Sequence, residues 1–303
     1  MSPRRKPSAK ETSVVQRIAN RGKELKLSRV DAIEQHLMYG LLARLGKSAE
    51  GKKFILKGGV LVANLVDEPF RFTRDSDLHR TKSPPDPGHV RQSFEQVIAI
   101  DLDDGITFGK VRAKEADHDA DGYDGVTVHI EVRIGNTSRD LKLDIGFGDT
   151  AENRDLRPFL SDDKPARLKT YPAETVIAEK VETVMKMTPD LQHRMKDLFD
   201  VVALASERSF DGPQLVAAVG ATVENRGREV DFDALDEMPK LLGLDKVQRR
   251  EWATMLKNKR ARIRIELHEA AARFLEFVRP LVAAISGDAE VPSHWPAGGP
   301  WES

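Results

Sequence analysis

Hydrophobic and polar positions alternate most regularly between residues 126 and 147. Val126, Val128, Ile130, Val132 and Ile134 are interleaved with Thr127, His129, Glu131 and Arg133. After a Gly135-Asn136 turn, Leu141, Leu143, Ile145 and Phe147 are interleaved with Lys142, Asp144 and Gly146. A period of two sends one set to a buried sheet face and the other to an open face. Residues 106–147 therefore read as a β-meander, with Asp144 pointing away from its strand's apolar side. Elsewhere the period is helical. Two N-terminal helices are expected, over 11–26 and 28–46. The second has Ser28 as N-cap, Asp31 at N3, Gly46 at its end and Val30, Ile33, Leu37, Leu41 and Leu45 along one face. A helix over 89–100 presents Val90, Phe94, Val97 and Ile98 inward. Further helices are expected near 173–187, 190–207, 213–220, 245–259 and 262–285. Strands and helices segregate along the chain, which makes the fold class α+β.

The stretch 53–78 organises the rest. It reads as a strand (Phe54–Lys57), a Gly58-Gly59 turn, a helix over Val60–Val66 and a second strand carrying Thr73, Asp75 and Asp77. Strand alternation puts Asp75 and Asp77 on one side, where two carboxylates repel unless a cation lies between them. Mg²⁺ or Mn²⁺ suits such a pair, because hard cations take a few carboxylate oxygens and complete their shell with water and phosphate. The glycines let backbone N–H groups approach a phosphate, and the following helix points its positive end the same way. Together these features point to metal-assisted chemistry on a nucleoside triphosphate.

Composition narrows the classes. The 303 residues can bury a sizeable core, and 48 Lys plus Arg against 49 Asp plus Glu leave a net charge of −1. Any nucleic-acid surface must then be a local patch. The absence of cysteine excludes disulfides, thiolate zinc sites and cysteine nucleophiles. No apolar run is long enough to span a bilayer, and the basic start lacks the apolar core of a secretory signal, so a cytoplasmic location without membrane partners is expected. Residues 1–10 are expected to be a disordered basic tail, and 82–88 a proline-rich turn. A boundary near 165–172 separates a core with N-terminal helices (11–170) from a helical region (171–286), and an irregular tail (287–303) follows whose tryptophans can pack on the body. Residues 117–125 imitate the opening of a calcium loop, but the twelfth position is Val128 instead of glutamate. His118 and His129 lack metal-ligand spacing, and neither G-x-S-x-G nor H-E-x-x-H occurs.

Lys57-Gly58-Gly59 followed by Arg71-Phe72-Thr73-Arg74-Asp75-Ser76-Asp77 resembles the signature of polymerase-β-like nucleotidyltransferases, in the form found in AbiEii/AbiGii-type toxins of toxin–antitoxin systems. Ser76 stands where a bulky apolar residue is usual. The resemblance implies a nucleotidyltransferase-like mixed sheet and an NTP substrate. It also implies transfer of a nucleotide, for characterised members to the 3′ end of tRNA, and a cognate antitoxin. By the same resemblance Asp75, Asp77 and Asp144 hold the metal. Lys57, Gly58, Gly59, Thr73, Lys180 and Arg194 serve the nucleotide. Asp149 is a competitor of Asp144 placed in a loop.

Lys180 stands one helical turn from Val176, Ile177 and Val184, so its Cβ leaves from within or beside an apolar face. Ile177-Ala178-Glu179-Lys180 resembles the family's third motif, whose lysine contacts the triphosphate. Arg194, Asp197 and Asp200 share a helix face and resemble the fourth motif, where acids are needed for activity; spacing does not say which of the two is the functional one. In some members the residue matching Thr73 is phosphorylated by a partner kinase and activity is lost. Seven cations fall within 16 residues from Arg249 to Arg264. Of these Lys257, Lys259, Arg260, Arg262 and Arg264 are candidates for holding RNA, with a solvated helix end as the alternative. Modification of a protein or small molecule, and a catalytically silent nucleotide- or RNA-binding regulator, are the rival readings.

Overall fold

The computed structural model describes residues 6–66, 71, 73, 76–81, 86–116, 125–147, 152–188, 191, 194–225 and 232–302. They form two compact units. One contains Met1–Leu61 with Arg74–Tyr171, and the other Val62–Thr73 with Pro172–Ser303.

The first unit is a seven-stranded mixed sheet packed against helices. Its elements are α1 (Ala9–Glu24), α2 (Arg29–Lys47), β1 (Phe54–Lys57), the start of α3 (Gly58–Asn64), β2 (Ser76–Arg80), α4 (Pro87–Ile98), β3 (Ile106–Glu115), β4 (Val126–Ile134), β5 (Thr137–Phe147), β6 (Glu152–Leu156) and β7 (Ala166–Thr170). Strand order is β3-β4-β5-β2-β1-β7-β6. The β2–β5 and β1–β7 pairs are parallel, and the others antiparallel. Ser8 and Glu11 close a reciprocal cap on α1, and the Ser28 hydroxyl accepts from the Asp31 N–H at the start of α2. The expected alternation holds along β4 and β5 except at Thr127, which is buried on the polar side, and β3 is interrupted by a register shift between Phe108 and Val111. Val126, Val128, Ile130, Leu141, Leu143 and Ile145 are buried, whereas Lys142 and Glu131 are exposed. Arg44 ties α2 to the loop before β3. Its guanidinium donates to both Asp104 oxygens at 2.7 and 2.9 Å and lies 4.8 Å from the Phe108 ring centroid.

The second unit is helical: α5 (Ala173–Met187), α6 (Met195–Glu207), α7 (Gly212–Asn225), α8 (Phe232–Leu244), α9 (Lys246–Asn258) and α10 (Leu267–Ile285), with the short antiparallel pair β8 (Phe210–Asp211) and β9 (His294–Trp295). The tail does pack down. Trp295 is buried against Phe277 with ring centroids 4.8 Å apart and donates to the Ala205 carbonyl. Trp301 stacks on the same ring and donates to the Phe277 carbonyl.

Several expectations need correction. Ala166–Thr170, for which no strand was expected, forms β7 inside the sheet, beside β1, and the two units divide just after it, between Tyr171 and Pro172. The polar strand β6 is an edge strand, where charged residues are favoured, and its composition hid it. Helix α8 carries Pro239 within it and was not expected. Residues 262–266 are not helical, because α10 begins at Leu267, and α7 runs on to Asn225.

Candidate active site

Gly58 stands where β1 turns into α3, with φ of +67°, a region costly for residues with a Cβ. A Cβ placed there would land on the Asp77 carboxylate, so the glycine admits both a backbone conformation and an acid. The register explains the approach, since Lys57 is paired with Asp77 across β1 and β2. Asp77 is in turn paired with Asp144 on parallel β5, and Asp144 with Thr127 on β4. Residues directly opposite one another project from the same sheet face, and neighbouring strands are about 4.8 Å apart. Lys57, Asp77, Asp144 and Thr127 therefore form one polar row across four strands. Asp144 accepts from the Thr127 hydroxyl at 2.9 Å and from Lys142 Nζ at 2.8 Å. Its side chain keeps 46% of its exposure, which leaves its oxygens open to exchange with solvent or an ion.

His79 follows Asp77 on the same face and lies across Gly146, its partner in register. A Cβ at Gly146 would come within 2.9 Å of the imidazole. The ring shares a 2.6 Å hydrogen bond between Nδ1 and the Tyr171 hydroxyl, and Lys57 Nζ lies 5.6 Å from the Tyr171 ring centroid. Burial, helped by the Lys57 charge, lowers the His79 pKa to about 3, so the ring stays neutral beside the two acids.

Two carboxylates one strand apart, facing the same way and bordered by a left-handed glycine, are a donor set that fits a hard divalent cation. Among the described residues no group of three or more His, Asp or Glu converges as a metal site. Asp75, expected as a ligand together with Asp77 and Asp144, lies outside them, as do Phe72, Arg74 and Asp149.

The helical unit contains a second constellation. Lys180 leaves α5 among buried Val176, Ile177, Val181 and Val184. Its ammonium lies 2.6 Å from Asp197 Oδ1 and 2.7 Å from Asp200 Oδ2, both on α6. Arg71 completes the group, with Nε 2.5 Å from Asp200 Oδ1 and Nη2 2.7 Å from Oδ2. Burial alone would push the Asp200 carboxyl up. Arg71 and Lys180 overcome it and hold the pKa at about 2. Burial likewise opposes the Lys180 charge, but Asp197 and Asp200 raise its pKa above the ordinary lysine value. Arg194 is the N-cap residue of α6, with Nη1 4.0 Å from Asp197 Oδ2.

The sequence comparison bears on all of these residues. The family model described as nucleotidyl transferase AbiEii toxin, type IV TA system, matches residues 40–273. The chain belongs to the AbiEii nucleotidyltransferase toxin family. Among curated proteins, none matches significantly. Of solved structures, JHP933 from Helicobacter pylori is 15% identical with a TM-score of 0.50, over 86% of this chain and 95% of that one. MenT4, a nucleotidyltransferase toxin from Mycobacterium tuberculosis, is 16% identical with a TM-score of 0.48, over 87% and 97%. AbiEii membership makes the protein a transferase with a nucleotide substrate and an antitoxin partner. Among the described residues no helix is long and apolar enough to cross a membrane.

Within this AbiEii chain the structure brings Gly58, Asp77 and Asp144 together, and separately Arg71, Lys180, Asp197 and Asp200. Gly59 lies in the first turn of α3. Thr73 is buried and lies outside β2 as described, Ser76–Arg80. In the basic run, Lys257, Arg260, Arg262 and Arg264 are exposed, Lys259 is half-buried, and Arg262 pairs with Glu207. Sequence reasoning missed Thr127, Lys142, His79 and the role of Arg71. The first three were readable as same-face neighbours of Asp144 or Asp77, once the strands had been paired.

Proposed function

We propose that this AbiEii toxin transfers a nucleoside monophosphate from an NTP to the 3′ end of tRNA, with Mg²⁺ required, and thereby blocks translation. The observation that carries the reading is the register of Asp77 with Asp144, closed on one side by Gly58. Asp75, Asp77 and Asp144 would hold the ion, which when bound supplies positive charge at the phosphate undergoing substitution. Backbone N–H groups at Gly58 and Gly59, with the Lys57 ammonium, bind phosphate oxygens. Lys180 takes the role of the family's third-motif lysine and offsets charge on the departing pyrophosphate. The acceptor hydroxyl oxygen forms a bond to the α-phosphorus as the bond to the β-phosphate's bridging oxygen breaks. That oxygen leaves with the electron pair on pyrophosphate. Asp144 serves as a third ligand or receives the hydroxyl proton.

The acceptor reading draws support from α9. Lys246, Arg249, Arg250 and Lys257 recur at spacings of three, four and seven, so they share one helix face, and all four are exposed. Arg260, Arg262 and Arg264 continue the run. Such a face suits a phosphate backbone.

The test is incubation with each labelled NTP, Mg²⁺ and total cellular RNA, with Asp77→Asn as control. Label in tRNA-sized RNA, lost in the variant and on chelation, is the expected result. Label in protein overturns the acceptor assignment. NTP binding without label anywhere overturns the enzymatic reading.

A further inference from the structure

We infer that Arg71 is a positioning residue of the transfer reaction, whose guanidinium fixes the Asp200 carboxylate that, with Asp197, holds the Lys180 ammonium in place. The inference rests on the nucleotidyltransfer reading above and adds a residue to it. Asp200 has no exposed side-chain surface, and each of its oxygens is engaged. Arg71 Nε takes Oδ1, while Arg71 Nη2 and Lys180 Nζ share Oδ2. The side chain of Arg71 is itself 5% exposed. The paired contacts of the fork dictate the plane of the carboxylate as well as its charge. That plane in turn sets where Oδ2 meets the Lys180 ammonium.

Among the described residues, the buried cations Arg71 and Lys180 face Asp197 and Asp200, with Arg194 at the edge beside Asp197. Deleting Arg71 leaves Asp200, which is fully buried, with Lys180 as its cation among the described residues, and a buried charge that loses a partner is strongly unfavourable. Lys180 is then held harder by the acids and is less available to a phosphate. Replacing Arg71 by lysine keeps the charge but loses the fork, because an ammonium is a point charge with no fixed plane. The same contacts separate the two acids of α6. Asp200 is the inner anchor, whereas Asp197 sits at the edge of the cluster, with Arg194 near its second oxygen. Arg71 also stands four residues ahead of Asp75 in the chain, so the residue that anchors Asp200 belongs to the segment leading into the metal-binding acids.

Arg71→Lys and Arg71→Met would be compared with the wild type for thermal midpoint, KM for NTP, kcat and the acid limb of the pH–rate profile. Arg71→Lys is expected to stay folded yet raise KM for NTP at least tenfold. In Arg71→Met, Asp200 loses the larger of the two cationic contributions that oppose its burial and keeps only that of Lys180, so the acid limb should move up by at least one pH unit. If both variants lower only the thermal midpoint and keep wild-type KM, kcat and acid limb, Arg71 is purely structural and the inference is wrong. A wild-type protein that neither binds nor turns over NTP would instead overturn the underlying reading, and the inference with it.

Discussion

Gly58→Ala separates the two duties of that residue. Its φ of +67° would cost an alanine about 1–2 kcal/mol, part of which is offset by the ~0.4–1 kcal/mol that a Gly→Ala change removes from the unfolded chain. The backbone contribution to stability is thus a loss of about 1 kcal/mol, or roughly 2–4 °C in thermal midpoint for a unit of this size. Activity should suffer far more. The new methyl group would occupy the place of the Asp77 carboxylate, which must rotate or shift away from Asp144. A displacement of about 1 Å in a reacting group costs on the order of 100-fold. Nucleotide incorporation into RNA, measured beside differential scanning fluorimetry, should therefore show at least a hundredfold loss at a midpoint only a few degrees lower. The double variant Gly58→Ala/Asp77→Gly tests the cause. With the carboxylate gone the overlap vanishes, so the double variant should be more stable than the summed single effects by about 0.5 kcal/mol or more. Full activity in Gly58→Ala, or strict additivity of the midpoints, would refute the contact as the reason for glycine.

Other expectations follow from the same contacts. Asp144→Asn should abolish transfer while changing stability by less than about 1 kcal/mol, because its partner Lys142 is exposed and surface pairs contribute little; activity and urea melts check both. Arg44→Met should lower stability by about 3 kcal/mol, by leaving Asp104 without its guanidinium, with transfer per folded molecule unchanged. His36 is buried with neither ring nitrogen hydrogen-bonded among the described residues, and its pKa is lowered, chiefly by burial, to about 4. Between pH 6.5 and 4 the unfolded state binds the extra proton, so this group's contribution is fully present above pH 6.5 and up to about 3 kcal/mol is lost as pH falls through 4. Midpoints from pH 7.5 to 4.5 should fall less steeply in His36→Gln. Trp295→Ala should cost about 3–5 kcal/mol, through loss of the Phe277 contact and the bond to Ala205, read by chemical denaturation.

Elements with a strong period were legible in the residue pattern alone. The alternation of 126–147 yielded β4 and β5, the strand Phe54–Lys57 appeared with its observed ends, and α5 spans Ala173–Met187 as expected. Where local signal was weak or contradictory, the reading failed. Glu152–Leu156 is too polar to announce a strand, Ala166–Thr170 has one bulky apolar residue, Leu168, and Pro239 masks α8. The acids were legible as residue types in a known order, but their partners were not. Strand pairing sets which residue stands beside Asp77, and nothing within one strand specifies the register of a parallel neighbour 67 residues away.

The sequence by itself determined the family, the α+β class and the candidate acids, because periodicity and motif order are local properties of the chain. Only the tertiary structure decided that Asp77 lies beside Asp144 and against Gly58, and that Asp200 is sealed by Arg71. Each is a contact between distant segments. Such contacts are chosen by packing and by the need of every buried charge for a partner, and these conditions exist only once the chain has folded.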